Sequence, residues 1–239
     1  MILRLENVSK SFGVLAAVNN LSFEVKAKEV FGIAGPNGAG KTTLLNTISG
    51  RFKGSGKIIY DNLEINGLKP HQICRKGIAR TFQIPLLFLP LNVFQNVKVG
   101  AHFGVEKDPQ NEQERIKSAI RFTGLEGKEN IPAKNLDLYH KRLTMLAAAL
   151  ATKPKLLLLD EPMGGLSPFE IKRFIALIIK TQDVLQLTVI IIEHIMKVLI
   201  ELCQRLMILH NGEKICIGAP HDVIRDNRVR EVYLGVRRA

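Results

Sequence analysis

The chain has 239 residues, 46% hydrophobic and 23% charged, ordinary for a globular protein and enough for one sizeable core with a small lobe beside it. Three widely spaced cysteines, Cys74, Cys203 and Cys216, lack C-x-x-C spacing and read as buried small hydrophobes, which excludes a metal site or a disulfide frame. The net charge of +12 comes from scattered Lys and Arg without a block of five like charges, so it reads as solvated surface with attraction for polyanions such as ATP.

In chain order, Ile2 to Val8 alternates apolar and polar residues and reads as a strand, as does Leu21 to Val25. Val30 to Ala34 is a buried strand, followed by a glycine-rich turn and a helix from Lys41 to about Ser49. Gly54 to Asn66 reads as two short strands. The longest apolar stretch, Ile84 to Val99, is broken by Pro85, Pro90 and polar residues, and no run reaches the roughly 18 apolar residues of a spanning helix. With no signal-peptide pattern either, the expected setting is cytosolic unless a partner holds the chain at a membrane.

From about Asn92 the pattern turns helical, and residues 92–153, closing with the alanine-rich helix Lys141 to Ala151, are expected to form a helical subdomain beside a core of 1–91 and 154–239, all within one domain of 1–239. Leu156 to Leu159 and Val189 to Ile192 are apolar runs of the kind that form parallel strands covered on both faces. The helix Pro168 to Thr181 lies between them, giving a strand–helix–strand unit. Leu206 to Leu209 and Lys214 to Ile217 read as closing strands joined at Asn211-Gly212, a hairpin turn, and short helices finish the chain.

The strongest signal is Gly35-Pro36-Asn37-Gly38-Ala39-Gly40-Lys41-Thr42, a full match to G-x-x-x-x-G-K-[ST] between an apolar strand and a helix. Its glycines let backbone N–H groups turn inward around phosphate oxygens, and the helix N-terminus adds its dipole. Lys41 supplies a point charge for the β- and γ-phosphates and the Thr42 hydroxyl is a Mg²⁺ ligand; Thr43 completes the expected nucleotide contacts. Asp160 and Glu161 end the apolar strand Leu156–Leu159, where ligands of a parallel sheet gather. Asp160 would hold Mg²⁺ through water, and Glu161 would polarise the attacking water as general base.

The Gly35–Thr42 loop, the segment LLLLDEP at Leu156–Pro162 and the isolated His194 after a strand together resemble the ATP-binding cassette family, from Leu3 to Gly235. The resemblance implies an α/β P-loop NTPase of ABC type, with an antiparallel β subdomain and a helical subdomain. It implies Phe12 as the aromatic stacked on adenine, Gln83 of Arg80-Thr81-Phe82-Gln83 as the glutamine touching Mg²⁺ and the water, and His194 as the histidine contacting the γ-phosphate. Gly164-Gly165-Leu166-Ser167 falls at the dimer-contact loop. Within the family the chain is most similar to ATPases of branched-chain amino-acid permeases, on Arg80–Gln83, Glu193–Lys197, Gly212–Ile215 and the ending Glu231–Gly235; ATPases of lipopolysaccharide export also look similar. The implied partners are transmembrane permease subunits, a second cassette and, indirectly, a solute-binding protein, with the chain held peripherally on the cytoplasmic face of the membrane. The apolar residues from Ile84 to Val97 are either a docking face for the permease or the core of the helical lobe.

The chain departs from the family at the signature, LSGGQ or a near variant. It reads Leu136-Asp137-Leu138-Tyr139-His140, with Asp137 for the serine and Tyr139 for the second glycine. In the family this segment faces the γ-phosphate held by the other subunit. A carboxylate there turns a donor into a repulsive acceptor; two unit charges about 4 Å apart repel by roughly 4 kcal/mol at an effective dielectric of 20. The expectation is a heterodimer in which this P-loop meets a partner's intact signature. The competing reading has Asp137 capping the following helix and turning aside, which leaves a working homodimer. From other classes, a cassette acting on nucleic acid or ribosomes is allowed by the charge, but such proteins carry two cassettes or long insertions and this chain has neither, so no nucleic-acid partner is expected; the altered signature also allows a non-catalytic nucleotide-binding regulator.

Overall fold

A computed structural model describes residues 1–105 and 109–234. Two sheets organise the chain. The first is antiparallel: β1 (Leu3–Phe12), β2 (Leu15–Val25), β4 (Ser55–Tyr60) and β5 (Leu63–Glu64) stand in the order β2-β1-β4-β5. The strands β1 and β2 run past the alternating segments that announce them, because register shifts at Leu5/Val8, Val8/Lys10 and Lys10/Ser11 break the period of two.

The second sheet has six strands in the order β10-β9-β3-β8-β7-β6. Its parallel strands are β3 (Val30–Ala34), β6 (Ile78–Arg80), β7 (Leu156–Asp160), β8 (Thr188–Ile192) and β9 (Arg205–His210); β10 (Glu213–Gly218) closes it antiparallel to β9. Every residue of β3, β7 and β8 is buried, as unbroken apolar runs require when both faces are covered. One core packs the faces of this sheet that carry Leu157, Leu159, Val189 and Ile191 against the helices; the other packs Leu156, Leu158, Ile190 and Ile192 toward β1, β2 and the first helix.

The helices are α1 (Lys41–Ile48), α2 (Pro70–Arg75), α3 (Val93–Phe103), α4 (Pro109–Phe122), α5 (Leu138–Ala151), α6 (Pro168–Leu185), α7 (Met196–Leu202), α8 (Pro220–Val223) and α9 (Asn227–Leu234). Helices α3, α4 and α5 pack on one another as a lobe. Gly100 allows the close approach of α3 to α5, since a Cβ there would lie 1.9 Å from the Ala148 carbonyl oxygen. Helix α6 opens on a reciprocal cap between Ser167 and Glu170 and runs to Leu185, beyond the expected Thr181.

The apolar stretch from Ile84 divides in two. Ile84, Leu86, Phe88 and Leu89 are exposed, whereas Val93 and Val97 are fully buried in the lobe. The cysteines are all free, but only Cys203 is buried; Cys74 and Cys216 are half-buried, which corrects the expectation for those two. Gly235, with which the C-terminal similarity ends, lies outside the described residues. Among the described residues no helix is long and apolar enough to cross a membrane.

Candidate nucleotide site

The carboxyl ends of β3, β6, β7 and β8 lie side by side, and each feeds a segment with a polar residue at one cleft. The cleft has a volume of about 760 Å³ and is lined by Phe12, Leu15, Ala17, Asn37 to Thr43, Gln83, Glu161 and His194. The loop after β3 needs its glycines. Gly40, at φ +97°, caps α1, and a Cβ on it would sit 2.0 Å from the Ala17 carbonyl oxygen; a Cβ on Gly35 would meet the Leu209 carbonyl oxygen at the same distance. Among the described residues no side chain caps α1, so its first-turn N–H groups stay directed at the cleft.

The Lys41 ammonium folds back on its loop, donating to the carbonyl oxygens of Gly35 at 2.8 Å and Pro36 at 2.9 Å. Burial lowers its pKa from the ordinary lysine value, against the pull of the Glu161 and Asp160 carboxylates. Gly35 and Pro36 thus support the loop from behind, while Asn37 to Thr43 form the wall. Phe12 is 45% exposed at the mouth of the cleft, edge-on to Phe52 with ring centroids 5.2 Å apart, and the Lys10 ammonium lies 4.8 Å from its ring centre.

Three residues separated widely in sequence meet at one carboxylate. Gln83 donates its amide Nε2 to Glu161 Oε2 at 2.7 Å, and His194 Nε2 lies 2.6 Å from Glu161 Oε1. Since a carboxylate only accepts, His194 carries its proton on Nε2 in this arrangement. Glu161 itself has φ +46°, an uncommon backbone for a non-glycine residue. Asp160 is almost fully buried beneath Thr42, with its Oδ1 3.3 Å from the Thr42 hydroxyl and its Oδ2 accepting from Arg80 at 2.9 Å. Desolvation raises the Asp160 carboxyl above the ordinary value, and the Arg80 guanidinium opposes it.

Two residues to which the sequence assigns no role hold the loop after β7. Arg142, buried on α5, donates to the backbone oxygens of Glu161 and Gly164. Glu193, also buried, accepts from the Met163 N–H at 2.9 Å and from the His194 N–H at 3.2 Å, joining the loops after β7 and β8. Burial drives its carboxyl upward.

The altered signature lies at the start of α5. Asp137 is the N-cap, its Oδ1 accepting from the His140 N–H at 2.8 Å, and the His140 imidazole Nδ1 lies 2.8 Å from both carboxylate oxygens. Against a desolvation that would raise it, these contacts with His140 hold the Asp137 carboxyl below the ordinary value.

A glycine-rich phosphate loop at the end of a parallel strand, with a carboxylate, a glutamine and a histidine converging across its cleft, defines a P-loop nucleotide-binding ATPase. The ABC transporter family profile matches residues 18–164, and the chain belongs to that family, as an ATP-binding and hydrolysing transporter subunit. It is 35% identical to the high-affinity branched-chain amino acid transport ATP-binding protein BraF of Pseudomonas aeruginosa, with 98% of each chain covered. The corresponding protein LivG of Escherichia coli is 33% identical, again with 98% of each covered. The lipopolysaccharide export system ATP-binding protein LptB of Haemophilus influenzae is 31% identical, covering 98% of this chain and 97% of that one. Among solved structures, an ATP-binding cassette of an ABC transporter in its ADP conformation superposes with a TM-score of 0.87 at 30% identity, covering 98% of this chain and 99% of that one. A dimeric cassette in a post-hydrolysis state with ADP and Pi gives 0.82 at 25% identity, covering 92% of this chain and 99% of the other.

Proposed function

We propose that the chain powers branched-chain amino-acid transport by hydrolysing Mg²⁺-bound ATP against membrane-embedded permease subunits, with a solute-binding protein acting upstream of the permease. The observation that carries the hydrolytic reading is the meeting of Gln83 and His194 on the Glu161 carboxylate at the rim of the phosphate loop. In this reading Glu161 takes the proton of the attacking water. Gln83 and His194 hold the carboxylate until nucleotide enters, then turn to the water and the γ-phosphate. Phe12 stacks on the base and the loop Gly35–Thr43 cradles the phosphates.

The residues fit a magnesium ion. Thr42 Oγ1, the Asp160 carboxylate and the carbonyl end of Gln83 are hard oxygen donors, and Thr42 and Asp160 are already adjacent. Among the described residues no cluster of three acidic, histidine or cysteine side chains forms a ready-made cage, so phosphate oxygens and water would fill the remaining positions. When bound, the ion neutralises charge on the phosphates.

The exposed residues Leu86 and Phe88 line a groove of about 510 Å³ walled by α2, β6, α3 and α5, with the exposed Ile84 and Leu89 next to them in the chain, which suits a docking segment of the permease. We assign 1–91 and 154–239 to the core and 92–153 to the helical subdomain, which supplies the α3 and α5 walls of this groove and the signature. The amino-acid reading draws on the similarity to BraF and LivG. Its test is uptake of radiolabelled leucine, isoleucine and valine by cells dependent on this chain: uptake falls to background with Glu161→Gln and is normal with the wild type. Normal uptake in cells whose ATPase is inactive refutes the substrate.

The dimer is expected to be asymmetric. Asp137 does cap α5, as the competing reading requires, but the cap consumes the His140 N–H and leaves the carboxylate 62% exposed with its charge. A partner's γ-phosphate approaching this helix meets that charge. Asp137→Ser with Tyr139→Gly, the serine preserving a capping oxygen, should raise ATP turnover of the isolated chain about tenfold, the factor that 1.4 kcal/mol of relieved repulsion represents. Unchanged turnover would favour a homodimer that tolerates the altered signature.

A further inference from the structure

The sequence Arg80-Thr81-Phe82-Gln83 contributes more to the site than its glutamine. Arg80 is the last residue of β6, and its guanidinium is 7% exposed, closed in by the Phe82 ring at 5.1 Å from the ring centre. It forks between two elements. Nη2 donates to Asp160 Oδ2 at 2.9 Å; Nη1 donates to Asn46 Oδ1 at 2.7 Å and Ser49 Oγ at 3.1 Å, both on the C-terminal side of α1. Asn46 is itself buried. One planar cation therefore fixes the carboxylate at the end of β7 relative to the helix that follows the phosphate loop, and with Oδ2 held, Oδ1 is left toward the Thr42 hydroxyl.

We propose that Arg80 is a positioning residue that sets the Asp160 carboxylate for the metal-bound nucleotide. The inference rests on the reading of Asp160 as the carboxylate on the magnesium side. A buried carboxylate with two rotatable bonds keeps one orientation only if its partners dictate it, and a planar guanidinium whose other arm is fixed by Asn46 and Ser49 does so where a freely rotating point charge cannot. The Lys41 ammonium, which also acts on Asp160 electrostatically, is the cation toward which a released carboxylate would be drawn. Loss of the fork thus removes an oxygen from the metal side without touching the phosphate loop.

The test is binding of a fluorescent N-methylanthraniloyl-ADP, titrated with and without MgCl₂, to the wild type, Arg80→Lys and Arg80→Met, with thermal unfolding of each followed in parallel. In the wild type Mg²⁺ tightens binding. In Arg80→Met metal-free ADP affinity stays within about twofold while the Mg²⁺ concentration for half-saturation rises about tenfold or more, the scale of one charge-assisted hydrogen bond. Arg80→Lys recovers part of the shift. Asn46→Leu, which frees the other arm of the fork, raises half-saturation in the same direction by a smaller factor and serves if Arg80→Met fails to fold. Half-saturation that is unchanged or lower in the folded variants overturns the proposal. So does a metal-free affinity that falls in step with the Tm, since that is a purely structural role. A wild type whose ADP affinity ignores Mg²⁺ instead overturns the reading of Asp160.

Discussion

Glu161→Gln is expected to reduce ATP turnover by about two to four orders of magnitude, the usual contribution of a positioned general base, with ATP affinity nearly unchanged. The substitution is close to isosteric, and the carbonyl end of the amide can still accept from Gln83 Nε2 at the 2.7 Å position of the present carboxylate oxygen. Its NH₂ end then faces His194 Nε2, which sits 2.6 Å from Glu161 Oε1, so the imidazole must change tautomer and accept there. Packing is preserved because the loop is held independently by Arg142 on the Glu161 carbonyl oxygen and by Glu193 on the Met163 N–H. Combined with Asp137→Ser and Tyr139→Gly, which remove the charge facing the second nucleotide, the variant should accumulate an ATP-bound dimer, visible as a larger species by size-exclusion chromatography in the presence of ATP and absent with ADP. Hydrolysis at the wild-type rate would remove Glu161 from its role.

Lys41→Ala has the second large effect, and it falls on binding. The ammonium is largely buried and donates to Gly35 and Pro36, so its free-state contacts organise the loop that is to receive phosphate. In the proposed reading, nucleotide binding exchanges these carbonyl acceptors for phosphate oxygens. Hydrogen bonds to charged groups contribute about 1.5–3 kcal/mol each, so losing one net interaction of this kind weakens ATP about 10- to 150-fold. Arginine is not a substitute, because a planar fork does not fit a pocket shaped for a point charge between two carbonyl oxygens. Equilibrium titration with ATP, with the fold checked by thermal unfolding, measures the change. An affinity within twofold of the wild type would contradict the role given to the lysine.

The parts of the site that were legible in the sequence are those written in contiguous residues. The eight-residue phosphate loop and the Asp160-Glu161 pair after an apolar run specify their strand–turn–helix and strand-end contexts locally. Gln83 and His194 carry no signal alone; they stand out only through their register with the other motifs. Arg80 and Glu193 enter only as members of segments that carry the family similarity, and Arg142 not at all; their roles are not legible because their partners lie 80, 30 and 19 residues away and no spacing rule connects them. Nor does anything local announce the positive φ of Glu161. Short elements are illegible for a related reason. Helix α2 spans six residues, α7 seven and β6 three, too few for a period to be counted. Strand β6 matters most among these, since as the edge strand beside β7 it delivers Arg80 and then Gln83 to the carboxyl ends of the sheet.

The departures from the family pattern tie structure to function in the same way. Asp137 is a good helix N-cap by its residue type, and it is found as one. Aspartate and serine both satisfy the cap, whereas only the neutral hydroxyl can donate to a phosphate. The cap is satisfied, and the charge remains at the helix end where a second subunit's nucleotide is expected.

Phosphate release from ATP by the wild type, measured as a second cassette is added, reports whether this P-loop needs a partner's intact signature. The added chain is the triple variant Asp137→Ser, Tyr139→Gly, Glu161→Gln, which offers a restored signature but no general base of its own. The account predicts slow release by the wild type alone, none by the variant alone, and a rate that climbs with added variant to a plateau. ATP binding without release in every mixture would contradict it.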